Sequence, residues 1–481
     1  ISTKNQELLI MKMLIDGEFI DKSEHYDGIN QYDGELIDTI PIADKGDVNN
    51  AIDSARKAQK SLNSLSSKQV SENLFSACEE LSSCADEIAR LIVLEAGKPY
   101  KAAVAEVNRS IETLRFTSEE AKRIYGESIP LDATGSADER FMAFTQKIPL
   151  GVVAAITPFN FPVNLALHKI APAIAAKNAV VMKPSKEAPL AALRLAEIIN
   201  NHFDDGVINA VTGYGSEIGD ALIYSPDIAK ISFTGSVATG MYIASHAASK
   251  KLTLELGGND PLIVLEDADI EKAVDEAVTG AFTFSGQICC GVKRIILDNK
   301  VADEFIDLLI EKTSRLKIGN PMDESTDIGP VINKEAALNI EEVVNNSIRD
   351  GAELLLGGER RDCIIEPTIL DNVNMSMEVV AYETFGPVAP ILRVEGLDEA
   401  IEVANNTQYG LQAGVFTENV HSALRCANEI EAGTVYVNKA PSYRVDSMPF
   451  GGFKSSGTGK EGIKYAIEDM CRTKLIAFNR N

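Results

Sequence analysis

The stretch Phe282–Arg294, FTFSGQICCGVKR, sets a cysteine among small residues: Cys289 follows Gly286-Gln287 and precedes Cys290-Gly291. A structural cysteine sits among bulky apolar neighbours, so these glycines point to a sulfur that a small molecule can approach. Upstream, Leu254-Glu255-Leu256-Gly257-Gly258 puts one carboxylate into an apolar run that ends in a glycine pair. A thiol attacks only as thiolate, so a thiol and a carboxylate flanked in this way suggest a nucleophile and a general base. Each signal alone is weak, and a core cysteine beside a surface turn explains either stretch taken singly.

The elements around them supply the context. Gly151–Thr157 is a continuous apolar run of the kind a buried parallel strand requires. Helix and strand patterns then alternate: helix over Asn164–Ala176, strand Ala179–Met182, helix Leu190–His202, strands Val207–Val211 and Ile231–Phe233, helix Gly240–Ser249. That alternation predicts a doubly wound α/β sheet. A second alternating region runs from Pro261–Val264 to Thr434–Asn438. Between Gly126 and Pro149 the texture turns to Pro, Gly, Asp and Ser, followed by strand-like alternation, which predicts a projecting hairpin. Near the N-terminus, MLIDGEFI reads as a short strand with an Asp-Gly turn inside it. Asp47 is expected to cap the next helix, and Cys78 and Cys84 to be core residues on helices.

Polar residues recur where these strands end. Asn160 lies in Thr157-Pro158-Phe159-Asn160-Phe161-Pro162, and Lys183-Pro184-Ser185 ends the next strand. Thr234-Gly235-Ser236 leads to Gly240, a Gly-x-x-x-x-Gly spacing that would open a helix and offer amides to a phosphate. Glu383-Thr384-Phe385-Gly386-Pro387 and Pro449-Phe450-Gly451-Gly452 follow.

Together the PFNFP, KPS, FTGS, LELGG, GQxC, ETFGP and PFGG motifs, in this order and spacing over essentially the whole chain, resemble the aldehyde dehydrogenase superfamily. The resemblance implies a Rossmann-type dinucleotide-binding domain (13–125 and 150–255), an α/β catalytic domain (256–435) and a small oligomerisation arm (126–149 and 470–481). It implies Cys289 as nucleophile, Asn160 as oxyanion donor and Glu255 as the base that activates water, giving a free acid through a thiohemiacetal and a thioester. NADP or NAD would be held by Thr157, Pro158, Lys183, Ser185, Lys186, Gly213, Thr234, Gly235, Ser236, Glu383 and Phe385. Where NAD-preferring relatives carry a glutamate three residues after the lysine, this chain has Lys186, a cation suited to a 2′-phosphate. Glu187 would point elsewhere if a helix begins there. The family pattern usually places Asn where Phe284 stands, a position without chemistry.

The finer resemblance is to the branch of lactaldehyde and non-phosphorylating glyceraldehyde-3-phosphate dehydrogenases. It marks Arg109, Phe161, His168, Ile288 and Arg444 as substrate-side candidates. It favours a small hydroxyaldehyde such as lactaldehyde or glyceraldehyde, with an anionic aldehyde as runner-up. A CoA-acylating enzyme is a weaker alternative because of Glu255. A non-catalytic scaffold is weaker still, given the retained site residues. Cys290 is read as a small pocket residue.

A net charge of −25 argues against nucleic acid and anionic membranes as partners. Seven cysteines without framework spacing and five scattered histidines suggest a reducing, cytoplasmic setting and no metal site. The first twenty residues lack the features of a secretory signal, and no apolar run approaches a membrane span. A homodimer or homotetramer is expected, because the arm would otherwise expose strand edges.

Overall fold

The apolar run after Gly151 forms the strand Val152–Ile156 in a computed structural model that describes residues 11–133 and 140–480. Residues 1–10, positions 134–139 of the expected arm and position 481 lie outside that description. Val153 and Ala155 join one apolar cluster and Val152 and Ala154 another. Both faces of the strand are thus covered, which is why its sequence shows no polar alternation.

This strand lies within an eight-stranded sheet ordered Glu18–Ile20, Met13–Ile15, Ile208–Ala210, Val180–Lys183, Val152–Ile156, Ile228–Thr234, Lys251–Glu255, Gly457–Thr458. The five central strands run parallel, and the outer ones pair antiparallel. The chain winds outward in both directions from Val152–Ile156, so its carboxyl end is the topological switch point where such sheets bind ligands. A second sheet of seven strands is built from 261–437, with Pro261–Val264 between Arg294–Asp298 and Gln412–Phe416. A third pairs Phe141–Pro149 with Cys471–Asn479 over nine residues, with Ser128–Ile129 on the other side.

Local chemistry departs from the sequence expectations at several points. Asp16 and Gly17 have φ of +54° and +75°, so MLIDGEFI is a two-stranded hairpin on a primed turn. The helix Lys45–Ser64 is capped by Asp44, and Asp47 is its partner in the capping box. Cys78 is buried on the helix Ser67–Ser83, but Cys84 is half-buried at the junction with Ala85–Ala96. The helix predicted from Gly240 starts at Val237 behind an Ser236 cap. Gly240 lies inside it, where a Cβ would meet Leu256 Cδ2 at 2.3 Å. The helix Gly215–Tyr224 and the strand Lys251–Glu255 had no sequence prediction. No helix among the described residues is long and apolar enough to cross a membrane.

Candidate active site

Thr157, Lys183 and Thr234 stand at carboxyl ends of the parallel strands, around one cleft of about 940 Å³, and Glu255 ends a further strand, one residue before the cleft-lining Leu256. Thr157, Pro158, Asn160, Lys183, Ser185, Lys186, Thr234, Gly235, Ser236, Glu383, Phe385 and Cys289 line it. Gly213 does not: it turns beside Ala43 with φ +139°, and Gly215 and Gly219 take its place on the wall. The first turn of the helix Val237–His246 faces the cleft through Ser236, Ala238 and Thr239. Its free amides suit a phosphate. Gly235 has a different task, since its N–H donates to the Glu255 carbonyl at 3.0 Å. Buried oxygens without partners, Thr157 Oγ1 and Glu383 Oε1, face the same space. Cleft size, helix end and unsatisfied acceptors fit a dinucleotide.

The Lys183 loop differs from expectation. No helix starts there before Leu190, and Glu187 lines the cleft beside Ser185, whose hydroxyl donates to Glu187 Oε2 at 2.5 Å. Lys186 also faces the cleft, with Nζ 5.5 Å from the Tyr214 ring centroid. Burial pushes Lys183 down to about 8, against the pull of Glu187.

The Cys289 loop is bent tightly. After the helix Ile270–Phe282, Phe284, Ser285 and Gly286 take φ of +51°, +52° and +71° in succession. Two non-glycine residues held left-handed cost roughly 1–2 kcal/mol each, so neighbours must fix them. Ser285 Oγ donates to the Gly329 carbonyl at 2.8 Å, Lys293 Nζ to the Gly286 carbonyl at 2.5 Å, and the Ile332 N–H to Gln287 Oε1 at 2.9 Å. At Gly286 a Cβ would lie 2.0 Å from the Gly386 carbonyl oxygen. The glycine is therefore required by the backbone and not, as the sequence suggested, by access to sulfur. The pair Gly257-Gly258 has a similar reason, since Cβ atoms there would meet Glu383 Oε2 at 2.2 Å and the Cys289 carbonyl at 2.4 Å.

Asn160 is buried, and its Nδ2 donates to the Gln287 carbonyl at 3.0 Å, which ties it to the backbone two residues before Cys289. The amide keeps a second N–H for another acceptor. Hydrogen bonding with the Cys290 thiol, then burial, raises Cys289 well above the ordinary thiol range. Burial, reinforced by Glu461, raises Glu255 far above the carboxylate range, and neither of its oxygens has a partner. Glu383 is pushed up to about 7 by burial, against Lys293. A charge on Cys289 disfavours one on Glu255.

Away from the cleft, Cys290 packs with Ile288, Leu411 and Phe450, and Phe161 and Cys289 lie against this cluster. Arg444 stacks on Phe450 at 3.8 Å and donates to Glu461 Oε2 at 3.1 Å. Lys169 Nζ bonds Glu461 Oε1 at 2.7 Å and Thr234 Oγ1 at 2.6 Å. Arg109 grips Asp446 through Nε at 2.9 Å and Nη2 at 2.5 Å, and His168 Nε2 reaches the same carboxylate at 2.8 Å. The structure thus brings Arg109, His168 and Arg444 together, but in a network of ion pairs whose carboxylates the sequence reading missed. One signal was available: Lys169 is a lone lysine amid the apolar residues of the fully buried helix Asn164–Ala175.

A cysteine beside an amide donor, a buried carboxylate and a dinucleotide-sized cleft thus stand together at the switch point. The chain belongs to the aldehyde dehydrogenase family, whose sequence profile matches residues 19–476. It is similar to a lactaldehyde dehydrogenase of Methanococcus aeolicus, 43% identical over 476 residues that cover 97% of this chain and 100% of the relative. It is equally similar to a 3-sulfolactaldehyde dehydrogenase of Priestia aryabhattai, 43% identical over 97% of this chain and 98% of that one. A crystal structure of glyceraldehyde-3-phosphate dehydrogenase from Methanocaldococcus jannaschii, complexed with NADP, superposes with a TM-score of 0.92 at 40% identity, covering 95% of this chain and 100% of that one.

Proposed function

We propose that this enzyme oxidises a small hydroxyaldehyde of the lactaldehyde type to the free acid, with NADP accepted at least as well as NAD. The observation that carries it is the direct bond from Asn160 to the Gln287 carbonyl, which sets an amide donor beside Cys289 at the cleft. Bound nicotinamide dinucleotide supplies the hydride acceptor. Cys289 gives its proton to solvent water and its sulfur bonds the aldehyde carbon, while the spare Asn160 N–H and the Cys289 backbone N–H hold the oxyanion. A preorganised donor of this kind contributes roughly 2–4 kcal/mol. Once the carbonyl hydrogen has left as hydride, a thioester remains on Cys289. Glu255 takes a proton from water, which adds to the thioester carbon, and the carbon–sulfur bond breaks to release acid and thiol. Lys183, Glu383 and Phe385, which line the cleft, would hold the cofactor's ribose and nicotinamide ends, and Ser185 and Lys186 would meet a 2′-phosphate.

The substrate side supports an uncharged polar aldehyde, because Arg109 and Arg444 already have carboxylate partners in Asp446 and Glu461. Relatives named lactaldehyde dehydrogenase agree. An anionic aldehyde is the second reading, favoured by the buried, unpartnered Arg444 Nε and by the sulfolactaldehyde relative. Reduced-cofactor formation on lactaldehyde, glyceraldehyde, glyceraldehyde 3-phosphate and sulfolactaldehyde, with and without CoA, is the test. Lactaldehyde should have the highest kcat/KM, CoA should add nothing, and Cys289→Ala should be inactive while still binding cofactor. Higher kcat/KM on the phosphorylated or sulfonated aldehyde reverses the order, and turnover by Cys289→Ala removes the covalent route.

The sheet built from 13–255 is proposed as the dinucleotide-binding unit, that from 261–437 as the catalytic unit, and the three-stranded sheet as the assembly arm. Exposed Leu475 and Phe478 on that arm favour a dimer or tetramer. A monomer in sedimentation at micromolar concentration would count against this. Seven free cysteines favour a reducing, cytoplasmic setting.

A further inference from the structure

The helical layer behind the first sheet holds a buried ion pair that none of these steps uses. Gly97 turns the chain between the helices Ala85–Ala96 and Tyr100–Glu120 at φ +67°, and a Cβ there would lie 2.7 Å from Pro330 Cγ. Lys98 follows it inward and bonds Glu106 Oε2 at 2.5 Å, both side chains shut off from solvent. The other oxygen, Glu106 Oε1, accepts the backbone N–H groups of Val163 at 3.0 Å and Asn164 at 3.2 Å, so it anchors the exit of the Asn160 loop. Lys98 Nζ also lies 3.8 Å from the ring centroid of Phe161 and 4.6 Å from that of Phe284.

These two rings belong to the two loops that matter. Phe161 adjoins Asn160 and lies against the same apolar cluster as Cys289, and Phe284 opens the left-handed turn that leads to Cys289. A desolvated ammonium attracts the faces of both rings. A left-handed phenylalanine persists only where its surroundings hold it there. Burial lowers Lys98, and Glu106 opposes that shift, which helps keep the cation charged.

We propose that the Lys98–Glu106 pair is a positioning device for the reaction, setting the separation of Asn160 from Cys289 by holding Phe161 and Phe284 on one cation. This rests on the roles of Asn160 and Cys289 given above. The competing view is a pair that only stabilises the fold, and the experiment separates the two.

Single-turnover formation of NADPH is measured for wild type, K98M, K98M/E106Q, N160A and K98M/N160A, with NADP affinity and thermal midpoint alongside. K98M should slow the burst about 10–100-fold, the scale of a displacement near 1 Å at a reacting centre, and leave NADP affinity unchanged. K98M/E106Q removes the stranded carboxylate, keeps an acceptor for the Val163 and Asn164 amides, and should regain stability yet stay slow. Adding K98M to N160A should cost no further rate, since groups that act through one another are not additive. The device is refuted by a wild-type burst in K98M, by a rate that returns with stability in K98M/E106Q, or by the full K98M loss repeated on N160A. An N160A enzyme as fast as wild type would overturn the oxyanion assignment itself and the device with it.

Discussion

The two sides of Cys289 are built on opposite principles. Towards the cleft, polar groups are left without partners: Glu383 Oε1 and Thr157 Oγ1 on its wall, and Glu255 at the strand end beside it, are buried and unsatisfied. Towards the substrate side, charges are paired, with Asp446 held well below the carboxylate range by His168 and Arg109, and Glu461 down to about 2 by Lys169 and Arg444. A carboxylate raised by folding costs stability at neutral pH, whereas a lowered one contributes it. The cleft side therefore stores unfavourable energy in groups poised to act, and the paired side offsets it. The same region that fixes the pocket's walls supplies the stability that the reacting groups consume.

The largest test of that contrast is Glu255→Gln. Steady-state turnover should fall by about 10²–10⁴, while one equivalent of reduced cofactor still forms in the burst. Because burial raises Glu255, and the base must be ionised, wild-type turnover should climb with pH along a limb well above the ordinary carboxylate range. The burst should lack that limb. A folded variant without a burst would place Glu255 before hydride transfer.

A smaller effect is expected from Asp446→Asn, which breaks the paired side. It should lower stability by about 1–3 kcal/mol, below the range for a fully enclosed pair because Arg109 is partly exposed. Asp446 is depressed, so its contribution is complete above the unfolded value of about 3.9 and fades as pH falls below it. The stability gap between variant and wild type should therefore close in acid. Unmasking Arg109 should also shift kcat/KM about tenfold towards anionic aldehydes. An unchanged ratio would mean Arg109 does not face substrate.

The smallest effect belongs to the cofactor's far end. Lys186→Glu should move the NADP-to-NAD ratio of kcat/KM about tenfold towards NAD, and Glu187→Gln should move it the other way. If neither moves, the Lys183 loop does not read the 2′-phosphate.

The contrast also explains what the sequence disclosed. The cleft residues follow parallel strands one by one, so PFNFP, KPS and FTGS are contiguous words at strand ends, and the strands themselves are continuous apolar runs. The paired side joins Arg109, His168 and Lys169 to Asp446 and Glu461, segments that meet only after folding. A buried charge has no periodicity of its own, and composition assigns such residues to the surface. For the same reason nothing in the sequence marks Lys98, in the turn after Gly97, or Glu106, on the helix that follows. Glu187 was misplaced because Leu190, and not the residues after Lys183, starts the helix. The glycines around Cys289 were noticed for the wrong reason, since only the folded chain shows the Gly386 carbonyl against Gly286.

The register of the outer strands sets the order in which the chain can be completed. Phe141–Pro149 has its long partner in Cys471–Asn479, and the strand that ends in Glu255 is closed on its outer side by Gly457–Thr458. Both pairings reach across hundreds of residues, and contacts of such high sequence separation form late because their loop-closure entropy comes first. On the ribosome, the edge beside Glu255 and the strand Phe141–Pro149 both wait for residues 457–479 to emerge. The two sheets thus acquire these closing strands only after residues 457–479 have been made.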